Sequence, residues 1–185
     1  MPSSRAIWRR LSITAGNVLQ IASILMACFA LYASRFARPA PLAILSMLLA
    51  WILLYLFCHA IAHWLVGRIL GIRFLFYTVG GTANPRGWPP GVRWVFTHLP
   101  FLGVQTDKVS MHNASPRSRA LMWSAGVTSS AIVPLLSAIY ARLWGLPGSR
   151  PFFFFAVCWA LGTLASNWRS RTGDYAKARR ALGRP

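Results

Sequence analysis

The stretch LAILSMLLAWILLYLFCHAIAHWLV, residues 42–66, decides the fold. It contains no Asp, Glu, Lys or Arg, and about 20 predominantly apolar residues suffice for a helix to cross a bilayer. Its second half carries His59 and His63. Residues four apart lie on the same face of a helix. The stretch therefore predicts a transmembrane helix that presents two imidazoles side by side.

Three more apolar runs are long enough, or nearly so, to cross a membrane: residues 11–34, 120–144 and 152–168. The chain is 56% hydrophobic, with a mean hydropathy of +0.48. We therefore expect an all-α polytopic membrane protein, a single domain over residues 1–185 with about four transmembrane helices. The first run follows basic residues as a signal peptide does, but it continues past Cys28, which favours a retained accessory helix.

The net charge of +18 raises the alternative of a nucleic-acid-binding protein. The positions of the cations argue against it. With the N-terminus in the cytoplasm, sixteen of the twenty Lys and Arg residues lie in inner segments, and the outer segments hold only Arg35, Arg38, Arg142 and Arg150. This positive-inside bias predicts two cytoplasmic termini and an anionic inner leaflet as partner, without nucleic acid. The bias and the compact size favour the plasma membrane of a prokaryote.

The region between the second and third runs has strand-like patterns. Residues 73–79 and 92–97 alternate with period two and are rich in aromatic residues, and residues 80–91 between them are rich in turn formers. We expect a small β-hairpin or sheet there, at the membrane interface. The third run is rich in small residues, which predicts close packing against the histidine helix: Ser124, Ala125, Gly126, Thr128, Ser129, Ser130 and Ala131.

Asp174 follows the inner end of the fourth run, so it can meet His59 and His63 at a similar depth in the membrane. Two imidazoles and one carboxylate form a tetrahedral zinc site with an open fourth position. Interhelical hydrogen bonding by the histidines is the alternative. Asp174 could equally be the N-cap of a basic helix over residues 174–182, and Asn167 could satisfy backbone groups at a helix end.

The other candidate groups have simpler interpretations. His98 and His112 lie in the loop region, where a histidine more often lies at the membrane interface than binds a metal. Asp107 is typical of a solvated turn. The three cysteines, Cys28, Cys58 and Cys158, all fall within apolar runs, which predicts packed, reduced thiols rather than disulfides.

The sequence His59-Ala60-Ile61-Ala62-His63, followed by Leu70-Gly71-Ile72, resembles the HExxH helix and later glycine of the site-2 protease type of intramembrane zinc metalloprotease. Gly80-Gly81 is similar to that family's glycine-bearing strand turn. Ala125-Gly126-Val127 resembles its small-residue motif, and Asn167 with Gly173-Asp174-Tyr175 resembles its final motif, although the proline usual after the asparagine is absent.

The resemblance covers roughly residues 42–182 and implies a three-helix core formed by spans 42–66, 120–144 and 152–168. It also implies zinc held by His59, His63 and Asp174. Asn167, Gly80 and Gly81 would support the site or its substrate, and the sheet could bind an extended transmembrane client by edge pairing.

Ala60 stands where the family has its catalytic glutamate, and the chain contains no glutamate. A positioned acid/base contributes about two to four orders of magnitude to the rate. We therefore expect a zinc-binding pseudoprotease, weakly active or inactive as a peptidase, that acts on transmembrane clients. One alternative is an active protease that uses an unorthodox base such as Asp107. Another is a haem- or metal-handling membrane protein in which His59 and His63 are axial or transport ligands.

Overall fold

The structure, a computed structural model, describes residues 7–81 and 90–183. In chain order these residues form β1 (Ile7–Leu11), α1 (Ile13–Ala33), α2 (Ala40–Ile69), β2 (Phe74–Gly80), α3 (Pro90–His98), β3 (Phe101–Thr106), α4 (Lys108–Asn113), α5 (Pro116–Leu143), α6 (Ser149–Arg169) and α7 (Asp174–Ala181). The expected helical architecture with a small sheet is confirmed.

Four of these helices, α1, α2, α5 and α6, are long and apolar enough to span a membrane, which fits a multi-pass membrane protein. They correspond to the four apolar runs. The helix α2 extends beyond its run at both ends, because Pro39 and Pro41 suit a helix N-terminus and Arg68 suits the last turn. Ser115 caps α5 by accepting a hydrogen bond from the Ser118 amide at 3.0 Å.

The helix α2 is the centre of the bundle, in contact with α1 and α5, while α5 also contacts α6 and α7. The predicted packing of the small residues is confirmed, since Gly126, Ser130 and Ala131 are buried in α5. An apolar cluster around Trp51 joins α2 to α5 and α6 in the half of the bundle remote from the histidines. Short side chains let helix backbones approach closely where lipid supplies no hydrophobic driving force between helices.

The expectation for the cysteines is only partly confirmed. All three are free thiols, but Cys58 alone is buried, whereas Cys28 and Cys158 are exposed. The last two lie on outward faces of α1 and α6. Apolar character in a membrane helix does not distinguish a face that packs on protein from a face that meets lipid.

The sheet differs from the predicted hairpin. The first predicted strand is confirmed as β2, but the second, residues 92–97, is wrong because this segment lies in helix α3. Six residues are too few for periodicity to separate a strand from a helix, and Pro90 favours the first position of a helix. The actual partner is β3, antiparallel to β2, with Phe74 opposite Thr106 and Gly80 opposite Phe101.

A third strand comes from the N-terminal side of the first span. The strand β1 pairs with the other edge of β2, with Ile7 opposite Gly80 and Leu11 opposite Tyr77. Leu11, the first residue of the predicted run, is therefore part of the sheet. The helix begins after Ser12, whose side chain accepts from the Ala15 amide at 3.2 Å. The order β1-β2-β3 places β2 in the middle.

Tyr77 of β2 connects the sheet to two spans. Its side chain is fully buried and belongs to one apolar cluster with Ala60 of α2 and Leu102 of β3. The hydroxyl donates to Asn17 Oδ1 of α1 at 2.6 Å. A β-carbon added at Gly16 would lie 2.1 Å from the tyrosine ring, so only glycine allows this approach. The accessory helix is thus docked on the sheet by one aromatic side chain.

We expect Gly16→Ala to lower the free energy of unfolding by about 1–3 kcal/mol, because the added methyl group forces Tyr77 out of its packed position. Thermal unfolding in detergent measures this. Gly162→Ala in α6 is the matched control, since a β-carbon there meets nothing within 4 Å. Equal unfolding temperatures for the two variants would contradict the docking role of Tyr77.

Candidate metal centre

His59 and His63 project from the same face of α2, as their spacing predicts. Their Nε2 atoms lie 3.2 Å apart, and the ring centroids lie 4.8 Å apart with the planes nearly perpendicular. His63 is buried, with 4% of its surface exposed. The side chain of His59 is about one-third exposed, at 32%. One imidazole is therefore enclosed by protein, and the other leaves the site accessible.

Asp174 joins the two histidines from the start of α7. Its Oδ2 atom lies 3.2 Å from His59 Nε2 and 3.3 Å from His63 Nε2. The alternative of Asp174 as an N-cap is wrong, because Gly173 occupies that position and Asp174 is the first helical residue. Asn167 satisfies this helix end instead, since its Oδ1 accepts from the Tyr175 amide at 3.0 Å. Asn167 thereby leaves the carboxylate free to face the imidazoles.

The three facing atoms form a nearly equilateral triangle. Its edges are 3.2, 3.2 and 3.3 Å. In a tetrahedral zinc site with bonds of about 2.0–2.1 Å, two ligand atoms lie about 3.3 Å apart. The triangle therefore has the size of one face of such a tetrahedron. The group His59, His63 and Asp174 could hold a metal ion.

The outward nitrogens of both imidazoles are held by α5. His63 Nδ1 lies 2.6 Å from the Met122 carbonyl oxygen, which can only accept, so Nδ1 carries the proton. A neutral imidazole held in this way turns the lone pair of Nε2 toward Asp174. His59 Nδ1 lies 3.0 Å from Ser130 Oγ and can donate to it in the same way. Such partners fix the tautomer and orientation of metal-binding histidines.

The position of His63 depends on a glycine in α5. A β-carbon added at Gly126 would lie 2.1 Å from His63 Nε2, so the ring occupies the space that any other residue would fill. Gly126 is buried in the contact between α5 and α2. This close approach brings the imidazole within reach of the Met122 carbonyl one helical turn earlier.

The second oxygen of Asp174 is bound by Lys177. The distance from Lys177 Nζ to Asp174 Oδ1 is 2.8 Å, and the ammonium also lies 4.3 Å from the centre of the Trp123 ring. Asp174 is only 8% exposed. Burial alone would raise the pKa of its carboxyl, but the contacts with His59 and His63 outweigh burial and hold the pKa well below its usual range.

Ala60 lies beside this triangle but faces the sheet. It has no exposed surface and packs in the cluster of Tyr77 and Leu102. A glutamate at this position would place a long carboxylate among apolar side chains. The sheet therefore fills the volume that a larger residue at position 60 would need.

The other sequence candidates lie elsewhere. Asp107 caps α4, where its carboxylate accepts from the Ser110 amide at 2.9 Å. His98 is exposed on α3 and His112 on α4. Gly80 ends β2 opposite Phe101, and Gly81 passes close to the backbone of Thr97. Among the residues that the structure describes, those grouped closely enough to ligate one ion are His59, His63 and Asp174.

Sequence reasoning did not identify Lys177, Trp123 or the hydrogen bond of Ser130. Lys177 had a detectable signal, because a lysine three residues after an aspartate on a helix lies next to it. In the sequence Ser130 has only the signal of a small packing residue, and the Met122 carbonyl has no sequence signal at all. These groups become apparent only when α5 is placed against α2.

Comparisons of this chain with protein-family models, with curated proteins and with solved structures found no match. The resemblance to site-2 proteases therefore rests on the motifs alone and stays a prediction.

We expect Ser130→Ala to weaken metal binding about 10- to 100-fold, because His59 loses the hydrogen bond that orients its ring. Competition with a chelator in detergent measures the affinity. Ser137→Ala is the matched control, since this buried serine of the same helix bonds only its own helix, at the Pro134 carbonyl. A similar loss in both variants would indicate a general packing defect.

Proposed function

We propose that this chain is a zinc-binding membrane protein of the site-2 protease type, weakly active or inactive as a peptidase. The observation that carries this proposal is the convergence of three potential ligand atoms, His59 Nε2, His63 Nε2 and Asp174 Oδ2. His63 Nε2 and Asp174 Oδ2 face each other across 3.3 Å. When both imidazoles are neutral, these two atoms and His59 Nε2 can all donate lone pairs to one cation.

The chemistry of the donors favours zinc. Two neutral imidazoles and one carboxylate are a common ligand set for catalytic zinc, which keeps a fourth position for water or substrate. Magnesium and calcium prefer sites built from oxygen ligands. In the bound state the ion would polarise a carbonyl or acidify a water molecule at the open position. His59, His63 and Asp174 would hold the ion in place.

The weak peptidase activity follows from the absence of a base. Ala60 can neither accept a proton from water nor pass one to a leaving amine. Asp107, the only other carboxylate of the sequence, is engaged at the N-terminus of α4. An active protease that uses Asp107 is therefore the less favoured interpretation.

A haem-binding function is also less favoured. Two axial ligands approach haem iron from opposite faces of the porphyrin. The Nε2 atoms of His59 and His63 instead lie 3.2 Å apart and both face one carboxylate oxygen. This arrangement suits a single small ion.

We place the protein in the plasma membrane of a prokaryote with both termini in the cytoplasm. The positive-inside distribution of charge supports this orientation and a partnership with anionic lipid. A transmembrane protein is the proposed client, because the site lies among helices that are long and apolar enough to span a membrane. Nucleic acid is not a proposed partner.

Zinc content per chain, measured on detergent-purified protein, tests the proposal. We expect close to one zinc per chain in the parent and little in His63→Ala or Asp174→Ala, because each variant removes one of three ligands. His112→Ala is the matched control, since this histidine is exposed on α4. A parent free of zinc after purification in zinc-containing buffer would contradict the proposal.

We expect Ala60→Glu to leave peptide hydrolysis unrestored and to lower the free energy of unfolding by about 2 kcal/mol or more. The reason is that position 60 is filled by Tyr77 and Leu102, so the new side chain is overpacked and its carboxylate buried. Thermal unfolding and cleavage of a transmembrane reporter measure the two effects. Ala62→Glu, at a partly exposed position of the same helix, controls for the added charge. Efficient cleavage by a stable Ala60→Glu protein would contradict this expectation.

A further inference from the structure

The charged residues around the proposed metal centre cancel each other. Asp174 supplies one negative charge, and Lys177 offsets it from 2.8 Å away. A divalent ion held by His59, His63 and Asp174 would therefore be almost uncompensated. The remaining carboxylate of the sequence, Asp107, caps α4 outside this group. Uncompensated positive charge attracts an anion, and more strongly where protein partly excludes water.

Lys177 is held against the site from two sides. Its ammonium bonds Asp174 Oδ1 and lies over the Trp123 ring, at 4.3 Å from the centroid. The same indole packs edge to face against His63, with centroids 5.7 Å apart. Trp123 therefore contacts both a proposed ligand and the lysine. These contacts restrain an otherwise flexible cation at one wall of the site.

The Lys177 ammonium can also donate a hydrogen bond to a ligand. An ammonium has three N–H donors, and the bond to Asp174 uses one of them. The Lys177 side chain is 37% exposed and that of His59 is 32% exposed, so both are reachable from outside the protein. A bound carboxylate could place one oxygen at the metal and the other on Lys177. Asp174 already divides its two oxygens between the imidazoles and Lys177 in this way.

On the basis of the proposed metal site, we propose that its fourth position binds a carboxylate ligand and that Lys177 selects this ligand over neutral ones. The carboxylate could belong to a small soluble acid or to an amphiphile that reaches the site from the membrane. In both cases one carboxylate oxygen would bind the ion and the other would accept a hydrogen bond from the Lys177 ammonium. Lys177 supplies the hydrogen-bond donor on the protein side, and the ligand supplies the negative charge that would balance the ion.

The experiment uses the full chain in detergent, loaded with Co²⁺ so that the visible spectrum reports the coordination of the metal. Acetate is titrated at constant pH and ionic strength, and acetamide serves as the neutral molecule of the same shape. We expect acetate to change the cobalt spectrum with saturation and acetamide to leave it unchanged. Absence of cobalt binding would overturn the metal site itself, whereas bound cobalt with equal responses to both probes would overturn only the anionic ligand.

The lysine is tested by Lys177→Met, which should weaken acetate binding about tenfold or more while cobalt stays bound, because a charge-assisted hydrogen bond is lost. Arg180→Met is the matched control, since Arg180 is a cation of the same helix whose guanidinium bonds the Arg171 carbonyl. Lys177→Arg should restore much of the affinity. Unchanged acetate affinity in Lys177→Met would overturn the role of the lysine.

A longer carboxylate distinguishes the two sources of the ligand. Decanoate carries the same head group as acetate and an apolar chain that gains affinity only if it is buried. Tighter binding of decanoate than of acetate would identify a ligand that approaches from the membrane, and equal affinities would identify a soluble one. Either result supports a carboxylate ligand, and failure of both probes to bind overturns it.

Discussion

The close contact between α5 and α2 at Gly126 is the constraint on which the rest of the site depends. The His63 ring occupies the volume where a side chain of α5 would otherwise begin. This contact brings the Met122 carbonyl and the Ser130 hydroxyl to the outward nitrogens of the two imidazoles. Lipid offers no hydrophobic gain for bringing helices together, so van der Waals contact and such hydrogen bonds determine the distance between them.

The same contact explains why polar groups are tolerated within the bundle. Two imidazoles inside a span are unfavourable unless partners satisfy them. Here every ring nitrogen of the pair has a polar neighbour, either on α5 or at Asp174. Asp174 in turn depends on Asn167, which takes over the capping of α7. The three ligand candidates are thus positioned by α2, α5, α6 and α7, and Ser170 between α6 and α7 accepts from the Gly173 amide just before Asp174.

Much of this arrangement could be predicted from the sequence. The four spans follow from long apolar runs, and the face shared by His59 and His63 follows from helical periodicity. The approach of Asp174 followed from the alternation of spans across the membrane. Each of these inferences uses either a local pattern or the thickness of the bilayer, and neither depends on detailed packing.

The rest could not be predicted, for physical reasons that differ between elements. Residues 92–97 satisfy both a strand and a helix pattern, so only their surroundings decide between the two. The strand β1 is short and lies among basic residues, and it is stabilised by pairing with β2 rather than by its own composition. The burial of Ala60 depends on Tyr77, which lies seventeen positions later in the chain. No local sequence pattern connects these two residues.

The bond between Tyr77 and Asn17 has a consequence for biosynthesis. The two residues are separated by 60 positions, so α1 leaves the ribosome well before its docking partner exists. During that interval the polar side chains of α1 must be accommodated without the sheet. The Gln20 amide nitrogen and the Ser23 hydroxyl are accommodated within the helix, because they donate to the carbonyls of Gly16 and Leu19. Tyr77 can therefore dock against the first helix only after β2 has been synthesised.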